Sequence, residues 1–112
     1  KDRTMMGNTP EQAAEVLSRI GVKGIGANCG QGIEGFIPIC SRMRAATGLP
    51  LWMKANAGLP ERIDGQTVYR TTPEEFAAFV PELVRSGADF IGGCCGTDER
   101  FIGAIGTALN NL

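Results

Sequence analysis

One phrase occurs twice in this chain and constrains its fold more than any other feature. TPEQ at 9–12 and TPEE at 72–75 each offer threonine as N-cap, proline at the first helical position, and Gln12 or Glu75 three residues on to close a capping box. Apolar residues follow both at helical spacing: Ala13, Val16, Leu17 and Ile20 after the first, Phe76, Phe79, Val80, Leu83 and Val84 after the second. Each run stops at a glycine, Gly21 or Gly87, and a short apolar stretch behind it (22–27, 88–92) reads as a strand. A third unit lies between them, with a helix over 36–47 through Phe36, Ile39, Cys40 and Met43, a closing Gly48, and a strand over 51–55. A last helix, capped by Thr97 with Asp98 and Glu99 in its first turn, carries Ile102, Ile105, Ala108 and Leu109. Pro81 predicts a kink inside its helix, because it donates no hydrogen bond and crowds the preceding turn.

Helix and strand therefore alternate, which predicts an α/β fold: three parallel strands alternating with four helices and joined by right-handed crossovers. Residues 1–8 are polar and without pattern, so a loop is expected there. RIDGQTVYRT at 62–71 reads as an exposed, hairpin-like excursion turning at Asp64-Gly65, a surface loop rather than a site.

Composition excludes several functions. With net charge −1, sequence pI 5.4 and basic residues scattered over Arg42, Arg44, Arg62, Arg70 and Arg85, no stripe can neutralise a run of phosphates. No apolar stretch is long enough for a bilayer, and no secretory leader is recognisable, so a cytoplasmic setting is the default expectation. Four cysteines are too few, in a chain this rich in Gly, Ala and Ile, for a disulfide scaffold. Reduced thiols or a metal are expected instead.

The cysteines follow the repeat. Aligned on their helix-ending glycines, the units read GVKGIGANC (21–29), GLPLWMKAN (48–56) and GADFIGGCC (87–95), so Cys29, Asn56 and Cys95 stand at equal distance from the glycine, with Asn28 and Cys94 one step before. These positions fall at the carboxyl ends of the strands, where parallel α/β folds place their chemistry. Strands lie about 4.8 Å apart, so Cys29 and Cys95 flank an intervening strand at roughly 10 Å in a flat sheet; barrel curvature is expected to turn them together. Gly92 and Gly93 are expected to loosen the backbone so that Cys94 and Cys95 face one point. Three thiolates in a chain without histidine suit zinc with an open fourth position, which Asn56 would cover through its amide oxygen. Other readings stand beside this one. The same thiols fit a redox-active or metal-sequestering module, and Asn56 fits a loop-capping amide. Cys40, on the apolar face of its helix, reads as a small core residue. GQGIEG at 30–35 matches a dinucleotide-binding glycine pattern, but Lys54 and Asn56 stand where its acid belongs, about twenty residues on.

GIGANCGQG (24–32), KANAGLP (54–60) and IGGCCGT (91–97), in that order with helices between, resemble the homocysteine S-methyltransferase domain of cobalamin-dependent methionine synthases. The resemblance runs over essentially the whole chain and implies the C-terminal half of a homocysteine-binding (βα)8 TIM barrel, so that residues 1–112 form part of that domain. It further implies zinc held by Cys29, Cys94 and Cys95, while the rung alignment places Asn28 and Asn56 as substrate-binding or open-position ligands beside it. L-homocysteine is the implied substrate and methylcobalamin the methyl donor, with corrinoid and folate domains as partners. Three strands cannot close a barrel, so the open edges are expected to be covered by self-association or another chain, and the piece alone is expected to be inactive.

Overall fold

Both threonine capping boxes form. In the computed structural model, which describes residues 3–112, the Thr9 hydroxyl accepts the Gln12 N–H at 3.2 Å and the Gln12 side chain takes the Thr9 N–H at 2.9 Å. Thr72 and Glu75 make the same exchange at 3.1 and 2.9 Å. These caps start helices α1 (Pro10–Arg19) and α3 (Pro73–Ala77). Between them stand strand β1 (Ile25–Gly32), a single 3-10 turn (Ile33–Gly35), helix α2 (Phe36–Ala46) and strand β2 (Leu51–Asn56). A hairpin of β3 (Glu61–Ile63) and β4 (Gln66–Val68) follows, and after α3 come helix α4 (Val80–Arg85), strand β5 (Phe90–Gly93) and helix α5 (Glu99–Asn110). Of the loop expected over 1–8, Lys1 and Asp2 lie outside the described residues; Thr4 to Gly7 turns through a Gly7 N–H to Thr4 C=O bond of 2.9 Å.

β1, β2 and β5 form one parallel sheet in the order β1-β2-β5. Leu51, Met53 and Ala55 of β2 point into the core against the helices, while Trp52 is 51% exposed on the opposite face. Phe90 of β5 stands beside Trp52 on that face, ring centroids 5.8 Å apart. Behind the sheet, Phe76 of α3 meets Phe101 of α5 edge-on at 5.6 Å, which locks these helices over the sheet. β1, β2 and β5 make an open sheet with β1 and β5 as its edges.

The structure moves several boundaries. β1 begins at Ile25 rather than Val22, because pairing starts where the Ile25 N–H reaches the Pro50 carbonyl at 3.0 Å, and that is set by the partner strand. The kink expected at Pro81 is a full break between α3 and α4. Proline offers no N–H to the Ala77 carbonyl, and the chain tightens through a Phe79 N–H to Phe76 C=O bond of 3.2 Å before restarting. The cap of α5 is Asp98, whose carboxylate accepts the Arg100 N–H at 3.0 Å, whereas Thr97 turns back towards Cys94. The excursion at 62–71 contains the expected hairpin, with Asp64 and Gly65 both left-handed (φ 51 and 77), as a two-residue type I′ turn requires. No helix among the described residues is long and apolar enough to cross a membrane.

Candidate metal centre

A bulge in one strand and a turn after another bring three thiols together. β1 pairs with β2 in register from Ile25 opposite Leu51 to Asn28 opposite Lys54, and pairing resumes at Gly32 opposite Asn56. Four steps on β1 thus match two on β2, and the excess is taken up around Cys29 and Gly30, whose φ values are 63 and 76. A left-handed cysteine costs about 1–2 kcal/mol, and it lifts the Cys29 side chain out of the strict alternation of a strand. Equal counting from the helix-ending glycines therefore locates the neighbourhood but not the register. Cys29 sits in a bulge, and Asn56 pairs with Gly32.

On β5, Gly92 and Gly93 are regular ladder residues opposite Lys54 and Ala55, not the irregular segment expected there. The ladder continues through Cys94 N–H to Ala55 C=O and Ala57 N–H to Cys95 C=O, both 2.9 Å. The turn comes at Gly96, with φ 82, and is closed by the Thr97 N–H at 3.1 Å and the Thr97 hydroxyl at 2.7 Å, both donating to the Cys94 carbonyl. Gly93 matters for another reason: a Cβ there would lie 2.7 Å from the Thr97 Cβ.

The Sγ atoms of Cys29 and Cys95 stand 3.6 Å apart, and all three Sγ atoms of Cys29, Cys94 and Cys95 lie within 4.8 Å of one another. A tetrahedral ion with sulfur ligands at about 2.3 Å separates them by about 3.8 Å, so this donor set fits zinc with little closure. The sheet is open, so bulge and turn bring the thiols together without barrel closure. Cys40 is apart from them, fully buried on α2, where desolvation pushes its thiol up to about 11.

Electrostatics divide the cluster. The Gly30 N–H, and after it hydrogen bonds from Cys95 and Cys94, hold the Cys29 thiol below its ordinary range; the Asn56 side chain adds to this. Cys95 is displaced upward, because it donates to Cys29 and Cys94 and faces their charge. Asn56 is buried, and its amide oxygen accepts the Cys95 N–H at 3.1 Å. That bond holds the turn and occupies one of the two lone pairs of the amide oxygen. Asn28 is exposed and directs its amide at the Cys94 Sγ, 3.9 Å away. An open groove of about 1260 Å³ passes Cys29, lined among others by Asn28, Gln31, Leu59 and Arg70.

One neighbour of the cluster was not legible in the sequence. Tyr69, in the segment read as a plain surface loop, lies against the turn at Gly96, and burial followed by the charge of Cys95 and Cys29 raises its hydroxyl pKa. Its being the single tyrosine is the only sequence signal, and nothing local ties it to a turn more than twenty residues on.

A parallel α/β sheet with three cysteines converging at its carboxyl end offers a set of thiol donors close enough to share one metal ion. The chain matches the family model for homocysteine S-methyltransferase over residues 1–109, and it belongs to that family. It is 28% identical over 109 residues to the methionine synthase of Mycobacterium tuberculosis and 27% identical over 106 residues to that of Mycobacterium leprae. With homocysteine S-methyltransferase 3 of Zea mays it shares 33% identity over 102 residues. These matches cover 96%, 94% and 87% of this chain, but only 9%, 9% and 29% of the relatives' own lengths.

Proposed function

We propose that residues 1–112 are the C-terminal part of a homocysteine-binding (βα)8 barrel, and that Cys29, Cys94 and Cys95 hold a zinc ion there for methionine synthesis. The observation that carries this reading is the convergence of three Sγ atoms within 4.8 Å in a family that acts on homocysteine. Zinc held by these thiolates supplies Lewis acidity that favours the thiolate form of an incoming homocysteine. The chain's own groups set up that position. The Gly30 N–H favours the ionised form of Cys29, the Asn56 amide fixes the turn carrying Cys95, and Asn28 and Asn56 are the amides assigned to the substrate side of the centre. A corrinoid bound by the other domains would supply the methyl group, and this chain's part would be to hold the homocysteine sulfur as a thiolate, its proton lost to solvent, so that the sulfur forms the new S–CH₃ bond.

The open edges at β1 and β5 and the exposed Trp52 and Phe90 call for covering by the rest of a barrel, or by self-association of the piece alone. Methyl transfer is therefore assigned to the complete domain together with corrinoid and folate domains, in a cytoplasmic setting that keeps the thiols reduced, with no activity from the piece alone.

Metal analysis tests the reading. About one zinc per chain is expected, lost in Cys29→Ser, Cys94→Ser or Cys95→Ser and kept in Cys40→Ser, with added homocysteine perturbing the thiolate band of the cobalt-substituted protein. Metal-free protein that oxidises to a stable Cys29–Cys95 disulfide would instead establish the redox-module reading, since those two sulfurs stand 3.6 Å apart.

A further inference from the structure

The turn that presents Cys94 and Cys95 does not stand alone. A Cβ built at Gly96 would lie 2.6 and 2.7 Å from the Tyr69 Cδ1 and Cδ2 atoms, so the tyrosine ring rests directly on the Gly96 α-carbon. Gly96 is thus required twice, for its left-handed φ of 82 and for the space the ring fills. Tyr69 itself is held from both sides in sequence. The β3–β4 hairpin ends one residue before it, and the Arg70 Nε–Glu61 carboxylate pair (2.9 Å) closes the hairpin base. The Thr72 capping box begins three residues after it. Its ring is half-buried and packs on the core cluster.

We propose that Tyr69 is a positioning residue for the thiol centre: its ring braces the Cys94–Gly96 turn from the hairpin side and so fixes the distance between Cys95 and Cys29. The hairpin, attached to nothing catalytic in sequence, is the arm that delivers the brace. The backbone of Cys94 and Cys95 is tied to β2, Asn56 and Thr97, while the sulfur of Cys95 must meet another sulfur on a strand two positions away, so the path of the turn through Gly96 decides where that sulfur lies. A rigid aromatic plane against the one residue lacking a side chain restricts that turn at little entropic cost. This inference rests on the reading of the three thiols as one centre, and the experiment separates the two.

Zinc affinity is measured by chelator competition for the parent chain, Tyr69→Phe and Tyr69→Ala. In the metal-free proteins, glutathione exchange measures the effective concentration of Cys29 against Cys95. Loss of an outer partner of a metal ligand typically costs 10- to 100-fold in affinity. Tyr69→Ala is expected to lose that much in zinc affinity and a comparable factor in effective concentration, while Tyr69→Phe, which keeps the ring, stays within about tenfold of the parent in both. Gly96→Ala, which drives the ring away and strains the left-handed turn, is expected to lose at least as much as Tyr69→Ala, and the double variant to be no worse than Gly96→Ala, because the ring contact is removed only once. The proposal is overturned if Tyr69→Ala matches the parent in effective concentration, or if Tyr69→Phe falls as far as Tyr69→Ala. A parent chain that binds no zinc but shows the expected exchange pattern refutes the metal reading and leaves the brace standing. Urea midpoints of all variants show whether a loss of affinity follows a loss of fold, which Tyr69→Phe is expected to avoid.

Discussion

Asn56→Ala is the substitution whose effect is best defined by the geometry around the thiols. Asn56 is 5% exposed, and its amide oxygen accepts the Cys95 N–H at 3.1 Å. Alanine removes the acceptor and leaves that N–H with only partial access to water, a loss of about 1–3 kcal/mol. A domain of 112 residues loses about 4 °C of melting temperature per kcal/mol, so a drop of roughly 4–12 °C is expected. Asn56→Asp separates the causes. It keeps an oxygen for the Cys95 N–H and is expected to regain more than half of the loss at neutral pH. It also exchanges the amide donor near Cys29 for a negative charge, which moves the Cys29 thiol upward. Thermal unfolding followed by circular dichroism in a chelator, with alkylation of Cys29 against pH, reads both. An alanine variant melting within 2 °C of the parent would refute the claim that this bond holds the turn, and an aspartate variant melting with alanine would show that volume, not the acceptor, is what counts.

Other expectations follow from single contacts. Phe76→Ala empties a fully buried site against Phe101 and is expected to cost about 3–5 kcal/mol in urea unfolding; a loss below 1 kcal/mol would contradict the packing described. Asp98→Ala is expected to cost about 1 kcal/mol as the true cap of α5, whereas Thr97→Val should disturb the Cys94 turn, seen as altered Cys94 alkylation, more than helix content. Cys40, displaced upward to about 11, should resist alkylation at pH 8 while Cys29, Cys94 and Cys95 react. Because the folded state keeps the Cys40 proton where the unfolded chain has lost it, stability should be complete below about pH 9 and fall by roughly 2–3 kcal/mol as pH rises through 11. A flat stability curve between pH 9 and 11 would rule this out.

The two helix starts that carry a threonine capping box were legible because they are local. A threonine, a proline and an acid or amide at fixed spacing satisfy the first N–H groups wherever the chain goes, and both boxes form as the spacing predicts. The hairpin turn at Asp64-Gly65 was legible for the same reason. Strand limits were less so, since β1 starts where β2 offers a carbonyl. The thiols are an intermediate case. Position along the repeat placed Cys29, Cys94 and Cys95 at one end of the sheet, but the counting assumed strands in step, and the bulge at Cys29–Gly30 breaks step.

The sequence by itself determined the alternation of helix and strand, the parallel sheet it entails, the core role of Cys40, and which cysteines can share a site, since all of these rest on periodicity, caps and chain order. The tertiary structure alone decided that a two-residue excess in β1 and a left-handed Gly96 bring the thiols to 3.6 Å. Only packing revealed that Tyr69 lies on that glycine and that the Asn56 oxygen is engaged by a backbone N–H. These contacts join residues far apart in the chain, and the energy of such a contact depends on the path of the backbone between them, which no local pattern encodes.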